Sequence, residues 1–174
     1  MANTYVAIAT VTVGSGGATN IEFTSIPQTY TDLVILLSSR TDQAANNDDR
    51  SMRFNGSSSG YSNRTVYGTG SSALSGAPYS DRAYIGSINA GTSTSNTFSN
   101  TQIYIPNYTS SNYKSVSSET VQENNATQAF AVCIASLWSN TSAITSLNLS
   151  VLSGSMTFGQ YSTATLYGIR ATEY

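Results

Sequence analysis

The chain of 174 residues contains no histidine and a single cysteine, Cys133. The absence of histidine excludes Ser-His-Asp triads, Cys-His dyads and histidine-ligated zinc or iron sites. One cysteine forms no disulfide within the chain and cannot build a cysteine-based structural zinc site. Because Cys133 lies in the apolar stretch Phe130–Ala135, we expect it to be a small hydrophobic residue of the core.

Charge is also scarce. Charged residues make up 9% of the chain, against about 25% in an average soluble domain. There is one lysine, Lys114, the arginines are scattered, and the net charge is −2 with a pI near 4.8. Since nucleic-acid binding requires a basic face, we do not expect it here. A surface with so little like-charge repulsion favours close packing of many copies, or stacking on sugars.

Long apolar runs are absent as well. The longest is Leu33–Leu37, far short of the roughly 20 residues of a membrane helix, and we predict a central strand buried on both faces. The N-terminus lacks the basic and apolar regions of a secretory signal, so neither secretion nor a membrane partner is expected. Polarity comes from Ser, Thr and Asn, which supply 68 of the 174 residues. Disorder is not expected, because 39% of residues are hydrophobic and occur in strand-like runs.

Short β-branched and alternating runs, separated by Gly, Asn and Pro, extend along the whole chain. We count ten to eleven such runs and no segment of sustained helical periodicity, which predicts one all-β domain over residues 1–174. The expected architecture is an antiparallel β-sandwich, jelly-roll-like, with about ten strands. The runs Thr4–Val13 and Asn20–Thr24 should form a hairpin around Ser15-Gly16-Gly17.

A second core strand is predicted over Thr127–Trp138. Period-two alternation places five of its side chains on one face: Phe130, Val132, Ile134, Ser136 and Trp138. Two loops are predicted, the polar segment Thr41–Arg50 and the Gly/Ser-rich segment Gly68–Pro78.

Acidic residues offer the only candidates for metal binding or acid–base chemistry. Asp42, Asp48 and Asp49, with Asn46 and Asn47, could supply oxygen ligands to calcium, although their spacing is not that of an EF-hand and a solvated turn is the plainer interpretation.

Two carboxylates among Glu22, Glu119 and Glu123 could serve a glycosidase. With nine acids in the chain, however, such pairs arise by chance. Gly14-Ser15-Gly16-Gly17 lacks the following helix of a phosphate-binding loop. We therefore expect no enzyme, and we assign no catalytic, metal or cofactor-binding residue and no cofactor.

Tyrosine is abundant, with 12 residues. Tyr104, Tyr108 and Tyr113 flank the turn at Pro106-Asn107, whereas another four surround the Gly/Ser-rich loop: Tyr61, Tyr67, Tyr79 and Tyr84. A tyrosine combines an apolar ring with a hydroxyl, which favours interfaces and sugar stacking. The alternative is that about half of these rings cap the core.

Three stretches carry a resemblance to known proteins: Phe23–Ile35, Ile103–Ser110 and Ser162–Ile169. They look like small virion proteins of tailed bacteriophages, particularly phages of cyanobacteria and marine bacteria. Members of that group occur as free-standing virion proteins and as terminal modules of tail fibres. The resemblance implies a β-sandwich, and it brings no catalytic residues with it.

Two functions follow from this resemblance and remain open. The chain, which shows no coiled coil or fibrous shaft, is expected to be a capsid decoration (cement) subunit that stabilises the head by contacts with the major capsid protein or other virion proteins. By analogy with three-fold capsid positions it would be a trimer. The alternative is a tail or head fibre module that reads host surface glycans through Tyr, Asn, Ser and Thr on loops such as Gly68–Pro78. Either protein would be made in the host cytoplasm and reside in the virion, on the capsid or tail surface.

Overall fold

The fold, a computed structural model that describes residues 4–125, 128–152 and 154–170, consists of strands and loops. Those residues contain no helix long and apolar enough to cross a membrane. The twelve strands are β1 (Tyr5–Thr12), β2 (Asn20–Phe23), β3 (Asp32–Ser39), β4 (Asn47–Phe54), β5 (Tyr61–Gly68), β6 (Ala73–Gly76), β7 (Ala83–Asn89), β8 (Ser99–Ile105), β9 (Lys114–Gln122), β10 (Phe130–Trp138), β11 (Leu147–Val151) and β12 (Thr163–Ile169).

The strands form two antiparallel sheets of unequal width. The larger sheet has eight strands in the order β1-β12-β3-β8-β9-β10-β5-β6, and the smaller has four in the order β2-β11-β4-β7. From β2 to β5, each strand lies in the opposite sheet to the strand before it. The chain also crosses between the sheets before and after β7, and again before and after β11. Such crossings between the two sheets are typical of jelly-roll sandwiches, and four strands, β9, β10, β5 and β6, extend the larger sheet beyond β8. The predicted all-β sandwich is thereby confirmed, with twelve strands rather than about ten.

The core lies between the sheets and is built from alternate residues of both. Strand β3 contributes Leu33, Ile35 and Leu37, all essentially inaccessible to solvent. Val34, on the other face, is also buried, but Leu36 is 43% exposed. The prediction that this strand is covered on both faces was therefore wrong at Leu36, because none of the residues that the structure describes covers the outer face of the larger sheet at that position.

The predicted hairpin between the first two strands was wrong. The turn forms, and Gly17 N–H donates to the Gly14 carbonyl over 3.1 Å. However, β1 pairs with β12 in the larger sheet and β2 pairs with β11 in the smaller one. The turn therefore carries the chain from one sheet to the other, because β1 and β2 pair with the two C-terminal strands, one in each sheet.

Strand β10 confirms the predicted alternation. Val132, Ile134, Ser136 and Trp138 are buried and Phe130 is half-buried, while Thr127 lies outside the described residues. The same alternation corrects the prediction for Cys133, which is exposed. With a side-chain period of two, a residue between Val132 and Ile134 must point to the opposite face.

Both predicted loops contain strands. Strand β4 begins at Asn47, inside the predicted loop Thr41–Arg50, and β6 (Ala73–Gly76) lies within Gly68–Pro78. Their polar and small residues hid both strands from a prediction based on hydrophobic alternation. Strand β4 carries buried charged residues, and β6 is an edge strand whose residues are all exposed. Only tertiary contacts reveal such strands.

Two charged residues of β4 are buried, Asp48 and Arg50, and the guanidinium of Arg50 bridges the two sheets. It donates to Ser39 Oγ over 2.8 Å, to the Ser87 carbonyl over 2.8 Å and to Thr101 Oγ1 over 2.6 Å. Burial lowers the pKa of Arg50 to about 10, against the attraction of Tyr84, Asp49 and Asp48. Arg50 therefore remains charged at neutral pH and acts as an internal polar crosslink.

Candidate functional site

A cleft opens where the larger sheet extends beyond the smaller one. Strand β7 is the last strand of the four-stranded sheet, whereas the larger sheet continues through β10, β5 and β6. The cleft, of about 460 Å³, lies between the inner faces of these strands and the edge formed by β4 and β7. It falls within the range of small-molecule sites, about 300–1,000 Å³. We name it the Asp49 cleft.

The polar wall of the Asp49 cleft centres on the Asp49 carboxylate. Its Oδ1 accepts hydrogen bonds from the Tyr84 hydroxyl over 3.0 Å and from Ser87 Oγ over 3.2 Å. Its Oδ2 accepts one from the Tyr79 hydroxyl over 3.1 Å. Burial, and then the Asp49 charge, raises the pKa of Tyr79 to about 12 and raises that of Tyr84 further. Both hydroxyls therefore keep their protons and donate to Asp49 at neutral pH.

Asn63 on β5 holds the segment that carries these tyrosines. Its Nδ2 donates to the carbonyls of Tyr79 and Arg82, and its Oδ1 accepts from Tyr84 N–H and Ser136 Oγ. Tyr79 has a φ of 56°, in the left-handed region that bulky residues rarely adopt. The surrounding hydrogen bonds must offset that strain, so the ring position of Tyr79 is imposed by its neighbours.

The apolar wall comes from the larger sheet. The rings of Tyr67 on β5 and Phe130 on β10 are in contact, with centroids 6.0 Å apart and planes at 58°, and Val132 lies beside them. Together with Tyr84 and Ile134 they form a cluster separate from the main core. Thr65 also lines the cleft; it is 6% exposed and its Oγ1 has no hydrogen-bond partner among the described residues.

A second surface is the outer face of the larger sheet. In register across the strands, one row joins Thr10, Thr165, Leu36, Gln102, Glu119, Cys133, Val66 and Ser75. The rows on either side contain small, hydroxyl-bearing or amide residues such as Ala131, Val121, Asn100 and Ser38, and Ala135, Ser117 and Tyr104. Eight strands spaced about 4.8 Å apart make this face about 34 Å wide.

This outer face carries little charge. In the central row the one charged residue is Glu119, and in the row through Ala135 it is Arg64. Val66 and Val121 are more than half exposed. The outer face of the smaller sheet differs, because Glu22, Asn148 and Arg53 lie side by side there in register. The sandwich therefore has one nearly uncharged outer face and one polar, charged outer face.

The predicted tyrosines divide among three environments. Tyr67 and Tyr84 line the Asp49 cleft, and Tyr79, which lines the adjoining pocket, donates to Asp49. Tyr61 and Tyr108 cap the core: Tyr61 stacks on Trp138, and the Tyr108 hydroxyl donates to the Pro27 carbonyl. The other two are Tyr104, which donates to Asp32, and Tyr113, which is exposed.

The candidate calcium residues do not converge. Asp42 accepts hydrogen bonds from the backbone N–H and the hydroxyl of Thr157, Asp49 faces the cleft and Asp48 is buried. Asn124 Nδ2 donates to Asn46 Oδ1, while Asn47 lines the cleft. Within residues 4–125, 128–152 and 154–170, no three His, Cys, Asp or Glu side chains are grouped so as to hold a metal ion. A solvated turn is also the wrong description, because Asp48 and Asp49 lie in β4.

The three glutamates are likewise separated. Glu22 points outward from the smaller sheet and accepts a hydrogen bond from Asn148, whereas Glu119 points outward from the larger sheet. These two carboxylates therefore lie on opposite faces of the sandwich. The Glu123 carboxylate accepts hydrogen bonds from the backbone N–H groups of Asn124 and Asn125 and closes the turn after β9.

Sequence reasoning did not assign Asn63, Thr65 or Phe130 to this site. Thr65 and Asn63 alternate with exposed residues along β5 between two tyrosines, so the strand pattern itself marks them as inward-facing. No local signal reveals that the inner face of β5 at Thr65 and Tyr67 overhangs the smaller sheet.

The fold and these surfaces define an all-β sandwich protein with a tyrosine-lined cleft on one side of an overhanging sheet and a nearly uncharged face on the other. No protein-family model, curated protein or solved structure matches the chain.

Proposed function

We propose that this protein is a structural subunit of a bacteriophage particle, a capsid decoration (cement) protein that stabilises the head by packing against shell proteins. The observation that carries the proposal is the outer face of the larger sheet, where Val66, Val121, Ala131, Cys133 and Ala135 are exposed among hydroxyl groups. Burying such a face removes apolar area from water and desolvates few charges. The resemblance of three stretches to phage virion proteins points to the same role.

Cys133 provides a direct test, because it is the sole cysteine of the chain and lies exposed on that face, on the sixth of its eight strands. A maleimide reagent should modify Cys133 readily in the isolated protein. In the intact particle, docking through this face should slow its modification by at least tenfold. Equal rates in the two samples would contradict the proposed docking face.

A matched control uses the opposite face. In a Cys133→Ser background, Asn20→Cys places the thiol on β2, at an exposed position of the smaller sheet. This thiol should react equally in the isolated protein and in the particle. Electron cryomicroscopy of the same particles, with the copies counted and placed, should find hundreds of subunits on the shell. The absence of copies from the head would overturn the decoration role.

The second candidate is a receptor-binding module at a fibre tip, and the Asp49 cleft is the observation that favours it. Tyr67 and Tyr84 of that cleft, with Tyr79 beside it, combine ring faces with hydroxyl groups. Such side chains suit recognition of host surface glycans. Copy number separates the two candidates, because a fibre tip requires a handful to dozens of copies per particle.

A further inference from the structure

The Asp49 cleft has two walls of different chemistry, and each restricts what can bind. The wall from the larger sheet presents the rings of Tyr67 and Phe130 beside Val132. Such a surface packs on the apolar face of a ring-shaped ligand. The opposite wall presents the carboxylate of Asp49 and the side chain of Asn47, which are hydrogen-bonding groups.

Asp49 retains the capacity to bind a ligand hydroxyl. An ionised carboxylate offers about four lone-pair positions, and the hydroxyls of Tyr79, Tyr84 and Ser87 occupy three of them. These donors fix the carboxylate in place at the cleft. Asp49 is therefore a pre-positioned acceptor, which reduces the ordering cost of binding.

Thr65 supplies an independent observation. Thr65 lines the cleft, 6% of the residue is exposed, and its buried Oγ1 has no hydrogen-bond partner among the described residues. A buried hydroxyl without a partner costs about 1–3 kcal/mol. A rotation of the Thr65 side chain that brought Oγ1 to the cleft surface would let a ligand hydroxyl remove that cost, so this wall also selects for a hydroxylated ligand.

The charge of the site selects against anions. Asp49 lines the cleft, Asp48 and Arg82 line the adjoining pocket, and the guanidinium of Arg82 is paired with Asp81. The guanidinium of Arg50 is buried and donates to Ser39, Ser87 and Thr101. A sialylated or uronate sugar would therefore bring its carboxylate toward acidic residues, while both nearby guanidiniums, those of Arg50 and Arg82, already have partners.

We propose that the Asp49 cleft binds a neutral saccharide, with one sugar ring stacked on Tyr67 and its hydroxyls bonded to Asp49 and Thr65. The proposal rests on the receptor-binding candidate, and it names the ligand class for that site. It is independent of the outer face, because Tyr67 and Val132 lie on the inner side of the strands whose outer side carries Val66 and Cys133.

The first experiment applies the purified 174-residue chain to an array that contains neutral, N-acetylated, sialylated and uronate glycans. Binding should be confined to neutral and N-acetylated glycans. A neutral oligosaccharide that binds is then titrated by NMR, where the amide signals of Thr65, Tyr67 and Asp49 should shift. An array without binding, binding confined to anionic glycans, or shifts confined to residues outside the cleft would overturn the proposal.

Substitutions then test the named contacts. Tyr67→Ala and Asp49→Asn should each weaken binding of that oligosaccharide at least tenfold, whereas the matched changes Tyr113→Ala and Glu119→Gln, at exposed positions outside the cleft, should not alter it. Thermal unfolding of each variant shows whether the fold is retained. Should a cleft variant not fold, Thr65→Val, which retains the side-chain shape, should weaken binding by removing the hydroxyl alone.

Unchanged affinity in folded Tyr67→Ala or Thr65→Val protein would refute the assignment. Failure of the particle experiments would remove the decoration role and leave this binding result standing, because the glycan measurements use the isolated chain.

Discussion

At the scale of single residues, Gly86 shows how closely the two sheets approach each other. Gly86 on β7 has a φ of 97° and pairs with Arg50 at a bulge. A Cβ built on it would lie 2.4 Å from Thr120 Oγ1 and 2.7 Å from Thr120 Cβ. Thr120 in turn donates to the Ile85 carbonyl and shares a hydrogen bond with Thr101, which Arg50 contacts. Glycine at this position therefore permits the polar network that joins the sheets.

We expect Gly86→Ala to lower the free energy of unfolding by about 2–4 kcal/mol, because it adds backbone strain to a steric overlap. Gly56→Ala isolates the first effect, since Gly56 has a φ of 69° and open space around it; it should cost about 1 kcal/mol. Gly14→Ala, with open space and no positive φ, should cost nothing measurable. Chemical denaturation gives the three values, and a loss for Gly86→Ala no larger than for Gly56→Ala would contradict the overlap with Thr120.

Also at the residue scale, the cleft tyrosines should make stability depend on alkaline pH. Burial and then Asp49 raise the pKa of Tyr84, and burial raises that of Tyr79 to about 12, whereas both titrate near 10 in the unfolded chain. Between about pH 10 and 12 the unfolded state has therefore lost protons that the folded state keeps, so the free energy of unfolding falls as pH rises. Arg50 contributes with the opposite sign, because its folded pKa is lowered to about 10.

The measurement is denaturant unfolding at several pH values from 9 to 12. Stability should decline across this window, and Tyr84→Phe should reduce the slope by up to about 1.4 kcal/mol per pH unit. Tyr79→Phe should reduce it less, because 41% of Tyr79 is exposed to solvent. A slope that Tyr84→Phe leaves unchanged would contradict the raised pKa of this tyrosine.

At the scale of elements, β5 determines where the segment before β7 lies. Through four hydrogen bonds, Asn63 ties Tyr79, Arg82 and Tyr84 to β5 and to Ser136 on β10. Asp81 adds a surface contribution, since the guanidiniums of Arg82 and Arg53 hold its pKa at about 2. That contribution is lost as pH falls from about 4 to about 2, and such exposed pairs are worth about 0–1 kcal/mol. The buried amide of Asn63 is therefore the main anchor.

We expect Asn63→Ala to cost about 2–4 kcal/mol, because it leaves Tyr84 N–H and two carbonyls without their partner in a buried region. Hydrogen exchange should show faster exchange at the Tyr84 amide. Asn100→Ala, on the exposed outer face of β8, is the matched control and should stay within about 0.5 kcal/mol of the parent protein. Equal protection of Tyr84 in both variants would contradict the anchoring role.

The strands also show how much of the fold can be predicted from the sequence. Period-two alternation placed Val132 and Trp138 correctly inside, because a strand with one buried face imposes that pattern locally. Prediction from the sequence failed for the hairpin between β1 and β2, because closure of the whole sandwich, and not the turn at Gly14–Gly17, determines which strands pair. It also failed at Asn47–Arg50, where the network around Arg50 outweighs the low strand propensity of Asn and Asp.

The Asp49 cleft was beyond local prediction for the same reason. Asp49 comes from β4, Tyr67 from β5 and Phe130 from β10, and these residues meet because one sheet is wider than the other. Abundance of tyrosine indicated that some rings serve a surface. Which rings do so, and beside which carboxylate, depends on the strand order of both sheets.

At the scale of the whole molecule, the overhang of the larger sheet separates two surfaces. Its inner side forms the Asp49 cleft, and its outer side is the nearly uncharged face around Cys133 and Val66. Side chains alternate between these two sides along β5 and β10. A subunit docked on a shell through the outer face would therefore keep the Asp49 cleft open to solvent.

This separation makes the docking face testable without loss of the fold. Ala135 is exposed in the row that contains Arg64 and Ser117, and we expect Ala135→Lys to leave the free energy of unfolding within about 0.5 kcal/mol of the parent protein. In competition with the parent protein during particle assembly, Ala135→Lys should be incorporated at least tenfold less, because docking would bury an unpaired ammonium. Asn20→Lys adds the same charge to the smaller sheet and should be incorporated as well as the parent protein. Equal incorporation of the two lysine variants would exclude the outer face of the larger sheet as the contact with the shell.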